Sequence, residues 1–133
     1  MQSLLYIEDN LYNVQLIKRL LLQRPDVTLL TSVQGSAGIA LAQQRRPDLI
    51  LLDVHLPDIS GYDVLQRLKL EPETSTIPVV VLSADATPGQ IRRFHEGGAN
   101  DYLTKPLDLK RLLAVLAEYL GAVDPAASEL DLD

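Results

Sequence analysis

Five side chains in this chain have the types and places to act together on a charged group. Glu8 and Asp9 follow the short apolar run 4–7, and Asp53 ends the aliphatic run 49–52. Ser83 ends the run 79–82, and Lys105 follows the run 101–104. An uninterrupted run such as Leu49 to Leu52 reads as a strand buried on both faces, the kind found inside a parallel sheet. Pro57, Ser60 and Gly61 make the chain turn just past Asp53. Taken singly, Asp53 would be a turn cap, and Ser83 or Lys105 an ordinary residue after a strand. If the runs are parallel strands of one sheet, all five groups meet on the edge where open α/β sheets place their ligand sites. Three carboxylates brought together repel, and at least one has a raised pKa unless cations intervene. Lys105 supplies one positive charge. A hard divalent cation with oxygen ligands would supply the rest, and Mg²⁺ suits that donor set best.

The apolar pattern supplies the elements that must hold these groups. Strands are predicted at 4–7, 27–33, 49–52, 79–82 and 101–104, each followed by a helix. The first helix is predicted at 11–24, stopped by Pro25. On a helical wheel Val14, Ile17 and Leu21 share its inward face; Tyr12 and Leu16 fall opposite, with Leu11 and Leu22 on the flank. The second, 35–46, has Ile39 and Ala42 as its few inward residues, and Gly38 costs it about 1 kcal/mol relative to alanine. Ser60 and Asp63 resemble a capping box for the third, which carries Val64, Leu65 and Leu68. Thr87 caps the fourth, with Pro88 in its first position, Ile91 and Phe94 as its large anchors and Gly97-Gly98 at its end. Asp108 caps the fifth, whose Leu109, Leu112, Leu113, Leu116 and Leu120 lie at helical spacing before Gly121.

Strand and helix alternate five times, which implies an α/β, doubly wound parallel sheet with helices on both faces. Residues 1–121 form one domain; 122–133 are acidic and aperiodic, an expected disordered tail or linker stub. Apolar residues at 47% and charged ones at 23% place the chain among ordinary globular proteins. The net charge of -6 argues against non-specific binding to nucleic acid or an anionic membrane. No apolar run reaches the length of a membrane span, no signal peptide opens the chain, and without cysteine there is no disulfide framework or thiolate metal site. A cytoplasmic location is the expectation.

In type and order, Glu8-Asp9, Leu51-Leu52-Asp53, Pro57 with Gly61, Ser83-Ala84, and Asp101-Tyr102-Leu103-Thr104-Lys105-Pro106 resemble the receiver domain of two-component response regulators. The resemblance covers residues 3–120. It implies a flavodoxin-like five-stranded sheet in the order 2-1-3-4-5, with Asp53 accepting a phosphoryl group from phosphohistidine. It further implies that Asp9, Asp53 and the backbone carbonyl of His55 bind Mg²⁺, with Glu8 acting through water. Lys105 would pair with the phosphoryl oxygens, and the Lys105–Pro106 bond would be cis. Carboxylate nucleophiles form acyl phosphates, and the transferred group is metaphosphate-like, so catalysis is mostly positioning and charge neutralisation. Small Ala84 leaves the site open to a donor. His55 and Asp85 stand at variable positions resembling those that tune dephosphorylation, although His55 reads more plainly as an exposed loop imidazole. Glu8-Asp9-Asn10-x-x-Asn13 and Ser83-Ala84-Asp85-Ala86-Thr87 resemble receivers attached to hybrid histidine kinases.

The expected function is thus that of a phosphoacceptor in a two-component system or phosphorelay, which assists its own phosphorylation without being a turnover enzyme. A histidine kinase or histidine phosphotransfer protein is expected to dock beside the first helix, over Tyr12 and Leu16. Ser83 and Tyr102 are expected to switch the face of helix four, strand five and helix five for an output partner or a second copy. Two alternatives stand beside this. A non-phosphorylated interaction module would keep the fold but tends to lose site residues. An aspartyl-nucleophile hydrolase of the haloacid-dehalogenase type expects its nucleophile after the first strand and a second Asp two residues on, where this chain has His55.

Overall fold

Successive side chains of a strand point to opposite faces of the sheet, so unbroken apolar runs demand a core on each side. The computed structural model, which describes residues 2–121, has two such cores; the expected tail at 122–133 lies outside the described residues. The strands are β1 (Gln2–Ile7), β2 (Val27–Ser32), β3 (Leu49–Asp53), β4 (Val79–Ser83) and β5 (Asp101–Thr104). They form one parallel sheet in the order β2-β1-β3-β4-β5. The helices are α1 (Leu11–Leu20), α2 (Gly35–Arg45), α3 (Gly61–Leu70), α4 (Pro88–Glu96) and α5 (Leu109–Leu120). Leu4, Leu49, Leu51, Val80 and Leu82 face α1 and α5, against Val14, Ile17, Leu112 and Leu116. Leu5, Ile7, Ile50, Leu52, Val79 and Val81 face α2, α3 and α4, against Ile39, Val64, Leu65 and Phe94. Every residue of β3 and β4 is buried, and each large aliphatic side chain so removed from water contributes about 1.5–3 kcal/mol.

Register fixes what meets at the sheet edge. Ile7 lies beside Leu52 and Asp53 beside Leu82, which sets Glu8 level with Asp53. Ser83 lies beside Thr104, the residue before Lys105.

The helices depart from expectation in informative ways. The α-helical part of the first ends at Leu20, four residues short of Arg24, and tightens into a 3₁₀ turn over Leu21–Gln23. Pro25 disfavours α geometry at the preceding residue, and Arg24 stands at φ -133°, ψ 67°. Leu20 and Leu21 are consequently both buried. Gly38 has a use beyond tolerance: a Cβ there would lie 2.6 Å from Ile7 Cδ1, so α2 packs directly on β1. Strand β2 stops at Ser32, leaving Val33 half exposed. Thr87 does occupy the N-cap position of α4, but its side chain makes no cap bond; the hydroxyl donates to Asp85 Oδ1 at 2.7 Å instead. On α5, Asp108 caps as expected, accepting from the Lys110 and Arg111 N–H groups. Leu109 is 44% exposed, and Val115 is buried in the core.

Candidate functional site

The edge of the sheet gathers the five predicted groups. Glu8 and Asp9 leave β1, and α1 begins two residues later because Asn10 caps it, accepting from the Tyr12 and Asn13 N–H groups. Glu8, Asp9 and Asp53 each bring a carboxylate oxygen within 4.8 Å of the others. Lys105 reaches in from the β5–α5 loop; its Nζ donates to Asp53 Oδ1 at 3.1 Å and to Glu8 Oε1 at 3.4 Å. Ser83 is buried at the tip of β4, where its Oγ accepts the Asp85 N–H at 3.1 Å. His55 is exposed, and its backbone N–H donates to Asp53 Oδ1 at 3.5 Å. The Lys105–Pro106 bond is cis, as expected. Tyr102 is 8% exposed and packs on Phe94, with its hydroxyl donating to the Asp85 carbonyl at 2.6 Å.

The electrostatics follow from burial. Glu8 is fully buried, and desolvation foremost, then its contact with Asp53, pushes its pKa up to about 7. Burial alone would lower the Lys105 pKa, but Asp53 and Glu8 outweigh it and hold the ammonium above its ordinary value. Around Glu8 the bonds are one-sided. Oε1 accepts from Asn13 Nδ2, from the Tyr6 hydroxyl and from Lys105, while Oε2 is buried with no hydrogen-bond partner among the described residues. Such an orphan is costly unless something else satisfies it. Three carboxylates, one ammonium and an unpartnered buried oxygen fit a hard divalent cation with oxygen ligands.

Three residues of this neighbourhood have site contacts that the sequence did not assign to them. Tyr6 lies two positions before Glu8 and so shares its strand face; an aromatic in an aliphatic strand is the signal that could have found it. Asn13 lies three residues beyond the cap Asn10, on the turn that faces back to Glu8. Asp58 bonds to Gly35 and Ser36, 23 and 22 residues earlier, and no local pattern announces that.

Comparison with known proteins bears on the family and the fold. Residues 4–117 match the family model described as the response regulator receiver domain. The polar-differentiation response regulator DivK of Brucella anthropi is 36% identical over 120 residues, 90% of this chain and 97% of that protein. The receiver domain of sensor histidine kinase PA1611 from Pseudomonas aeruginosa, solved with a magnesium ion coordinated in its active site cleft, superposes with a TM-score of 0.80 at 28% identity. That match covers 91% of this chain and 98% of the other. The Mn²⁺-bound form of response regulator Rcp1 superposes with a TM-score of 0.82 at 29% identity, covering 93% and 98%. With the family model spanning nearly all the described residues, the chain belongs to the receiver domain family of two-component response regulators.

Proposed function

We propose that Asp53 takes a phosphoryl group from a phosphohistidine partner, with Mg²⁺ at Asp9, Asp53 and the His55 carbonyl and with Glu8 contributing through water. The observation that carries this reading is the buried Asp53 carboxylate at the β3 tip, bonded to the Lys105 ammonium and crowded by two further carboxylates. In the transfer an Asp53 oxygen attacks phosphorus and a P–O bond forms. The P–N bond breaks, its electron pair returning to the donor imidazole, which takes up a proton from solvent. Lys105, already on Asp53, balances charge on the phosphoryl oxygens. The Ser83 hydroxyl, at the tip of the neighbouring strand, is placed to turn toward them. The metal, when bound, supplies Lewis-acid charge neutralisation.

Two surfaces serve this function. Tyr12 and Leu16 of α1, with Asn13, Lys105, Pro106 and Leu107, line a cavity of about 320 Å³ beside the site. A histidine kinase or phosphotransfer protein seated there can present its imidazole to Asp53. On the other side Ser83, the Asp85 carbonyl and Tyr102 form a chain of contacts from the site to α4 and β5. A phosphoryl group adds about -1.5 to -2 charge and three strong acceptors. Drawing Ser83 toward it moves residues 84–87, releases Tyr102 and shifts the α4–β5–α5 face between two packings.

Incubation with a small acyl-phosphate donor and Mg²⁺ tests the reading. A stoichiometric, base-labile adduct is expected, lost in Asp53→Asn with the fold intact. Undiminished labelling of that variant would assign the wrong residue, absence of any adduct would favour an interaction module, and many turnovers would favour a hydrolase.

A further inference from the structure

The loop between β3 and α3, residues 54–60, carries His55, and a positioning role for this loop rests on the proposed use of the His55 carbonyl as a metal ligand. The loop is closed at its base, where the Gly61 N–H donates to the Val54 carbonyl at 2.8 Å. Leu56 and Ile59 are half-buried against the core, while His55, Pro57, Asp58 and Ser60 are exposed. Asp58 nevertheless ties the loop to another element, the start of α2. Its Oδ1 accepts the Gly35 N–H at 2.7 Å. Its Oδ2 accepts the Ser36 N–H at 2.9 Å and the Ser36 hydroxyl at 2.6 Å. These are charge-assisted bonds to the first turn of α2, where a carboxylate also meets the positive end of the helix dipole. The N-cap residue of α2 itself, Gln34, makes no side-chain cap bond. The cap of α2 therefore comes from the loop next to the acidic cluster.

Close packing doubles the polar contact. A Cβ on Gly35 would lie 2.7 Å from Ile59 Cγ1 and 2.7 Å from Val64 Cγ2, so the start of α2 packs closely on both the loop and α3. The Ser36 hydroxyl and then the backbone amides hold the Asp58 carboxyl far below its ordinary range, the mark of a carboxylate that stays charged and bonded.

We propose that Asp58 is a positioning residue for the metal centre: by clamping the loop to the start of α2 it fixes the His55 carbonyl at the site and couples α2 to metal binding. His55 is three residues from the clamp. A carbonyl ligand has no side-chain torsions to adjust, so the backbone must already be in place. Coupling is reciprocal: if the clamp aids the metal, the metal must tighten the clamp.

Calorimetric titration of the full chain with Mg²⁺ alone tests this, together with amide exchange at Gly35 and Ser36. Asp58→Ala is expected to weaken Mg²⁺ binding by about tenfold, the lower end for outer partners of a metal site. Ser36→Ala, which keeps both backbone bonds, is expected to weaken it by less. In the unaltered protein Mg²⁺ should slow exchange of the Gly35 and Ser36 amides, and in Asp58→Ala this protection should disappear. Asp108→Ala, which removes the cap of α5 and lowers Tm, is expected to leave Mg²⁺ affinity unchanged. Unaltered affinity in both the Asp58 and Ser36 variants overturns the proposal, as does an equal loss in Asp108→Ala, which would make the effect one of general stability. Should Asp58→Ala fail to fold, Ser36→Ala with the exchange data decides on the same terms. Failure of the unaltered protein to bind Mg²⁺ is a separate outcome: it removes the metal reading itself.

Discussion

Glu8 and Asp58 are carboxylates with opposite pH signatures. The Glu8 pKa is raised from 4.5 to about 7, so the folded domain holds that proton more tightly than the unfolded chain does. Stability of the metal-free domain is therefore expected to fall as pH rises from about 4.5 through about 7, by on the order of 1–3 kcal/mol. Glu8→Gln should abolish that slope and stabilise the metal-free domain at pH 8. Saturating Mg²⁺ should flatten the slope in the unaltered protein, because the cation favours the ionised site. Urea midpoints at pH 5 and pH 8, with and without Mg²⁺, check this; parallel slopes in the two proteins would show that Glu8 does not titrate as described. Asp58 runs the other way. Its pKa is depressed by the Ser36 hydroxyl and amides, so its contribution is present above the ordinary carboxylate range and is lost as pH falls through the folded value. Asp58→Asn should lower Tm at pH 7, with a smaller difference from the unaltered protein in strong acid.

Helix α4 is held by few buried side chains. Phe94 is its one fully buried side chain, Ile91 is half-buried, and much of the rest of its hold is aromatic and peripheral. The Arg93 guanidinium lies 3.7 Å from the centroid of Tyr62 on α3, Tyr62 meets Phe94 edge-on, and Gln66 donates to the Gly97 carbonyl at 3.3 Å. The sequence shows only the two apolar anchors, because a cation over a ring on another helix has no local signature. Few buried contacts mean low local stability, which the proposed switch requires. Arg93→Ala should cost about 0.5–1 kcal/mol, read as faster amide exchange confined to α4. Tyr102→Phe removes the bond to the Asp85 carbonyl and should speed exchange across residues 84–87 while leaving β5 unchanged. Uniform acceleration across the domain in either variant would mean that the contact supports the whole fold.

At the scale of the molecule, the strands end on one edge of the sheet where Glu8, Asp53 and Ser83 are buried while Asp9 and His55 are exposed, and the proposed donor would approach from the flank of that edge. Leu11 and Tyr12 are 68% and 70% exposed, whereas Leu16 is partly covered, because it lines the cavity with Lys105 to Leu107. The proposed docking of a histidine-containing donor uses this exposed apolar face. Leu16→Ser is expected to slow phosphoryl transfer from a histidine-containing donor protein several-fold, while transfer from a small acyl phosphate proceeds at an unchanged rate. Equal slowing with both donors would place Leu16 in packing. Among the described residues no helix is long and apolar enough to cross a membrane.

Much of this molecule was legible in the chain itself. Unbroken runs such as Leu49 to Leu52 can be stable only between two covered faces, so the sheet, its parallel sense and the edge holding Glu8, Asp9, Asp53, Ser83 and Lys105 follow from local pattern. Caps at Ser60 and Asp108 were equally local. What needed the tertiary structure were the contacts between residues far apart in sequence. Lys105 chooses both Asp53 and Glu8, across 52 and 97 residues. Packing also settled local choices: Thr87 bonds Asp85, two residues before it, in place of capping α4, and Leu109 turns outward while Val115 fills the core. The one-sided bonding that orphans Glu8 Oε2, and the hold of Asp58 on α2, depend on which side chains the fold leaves within about 3 Å of each other. Periodicity decides which face a residue takes; only packing decides whom it meets there.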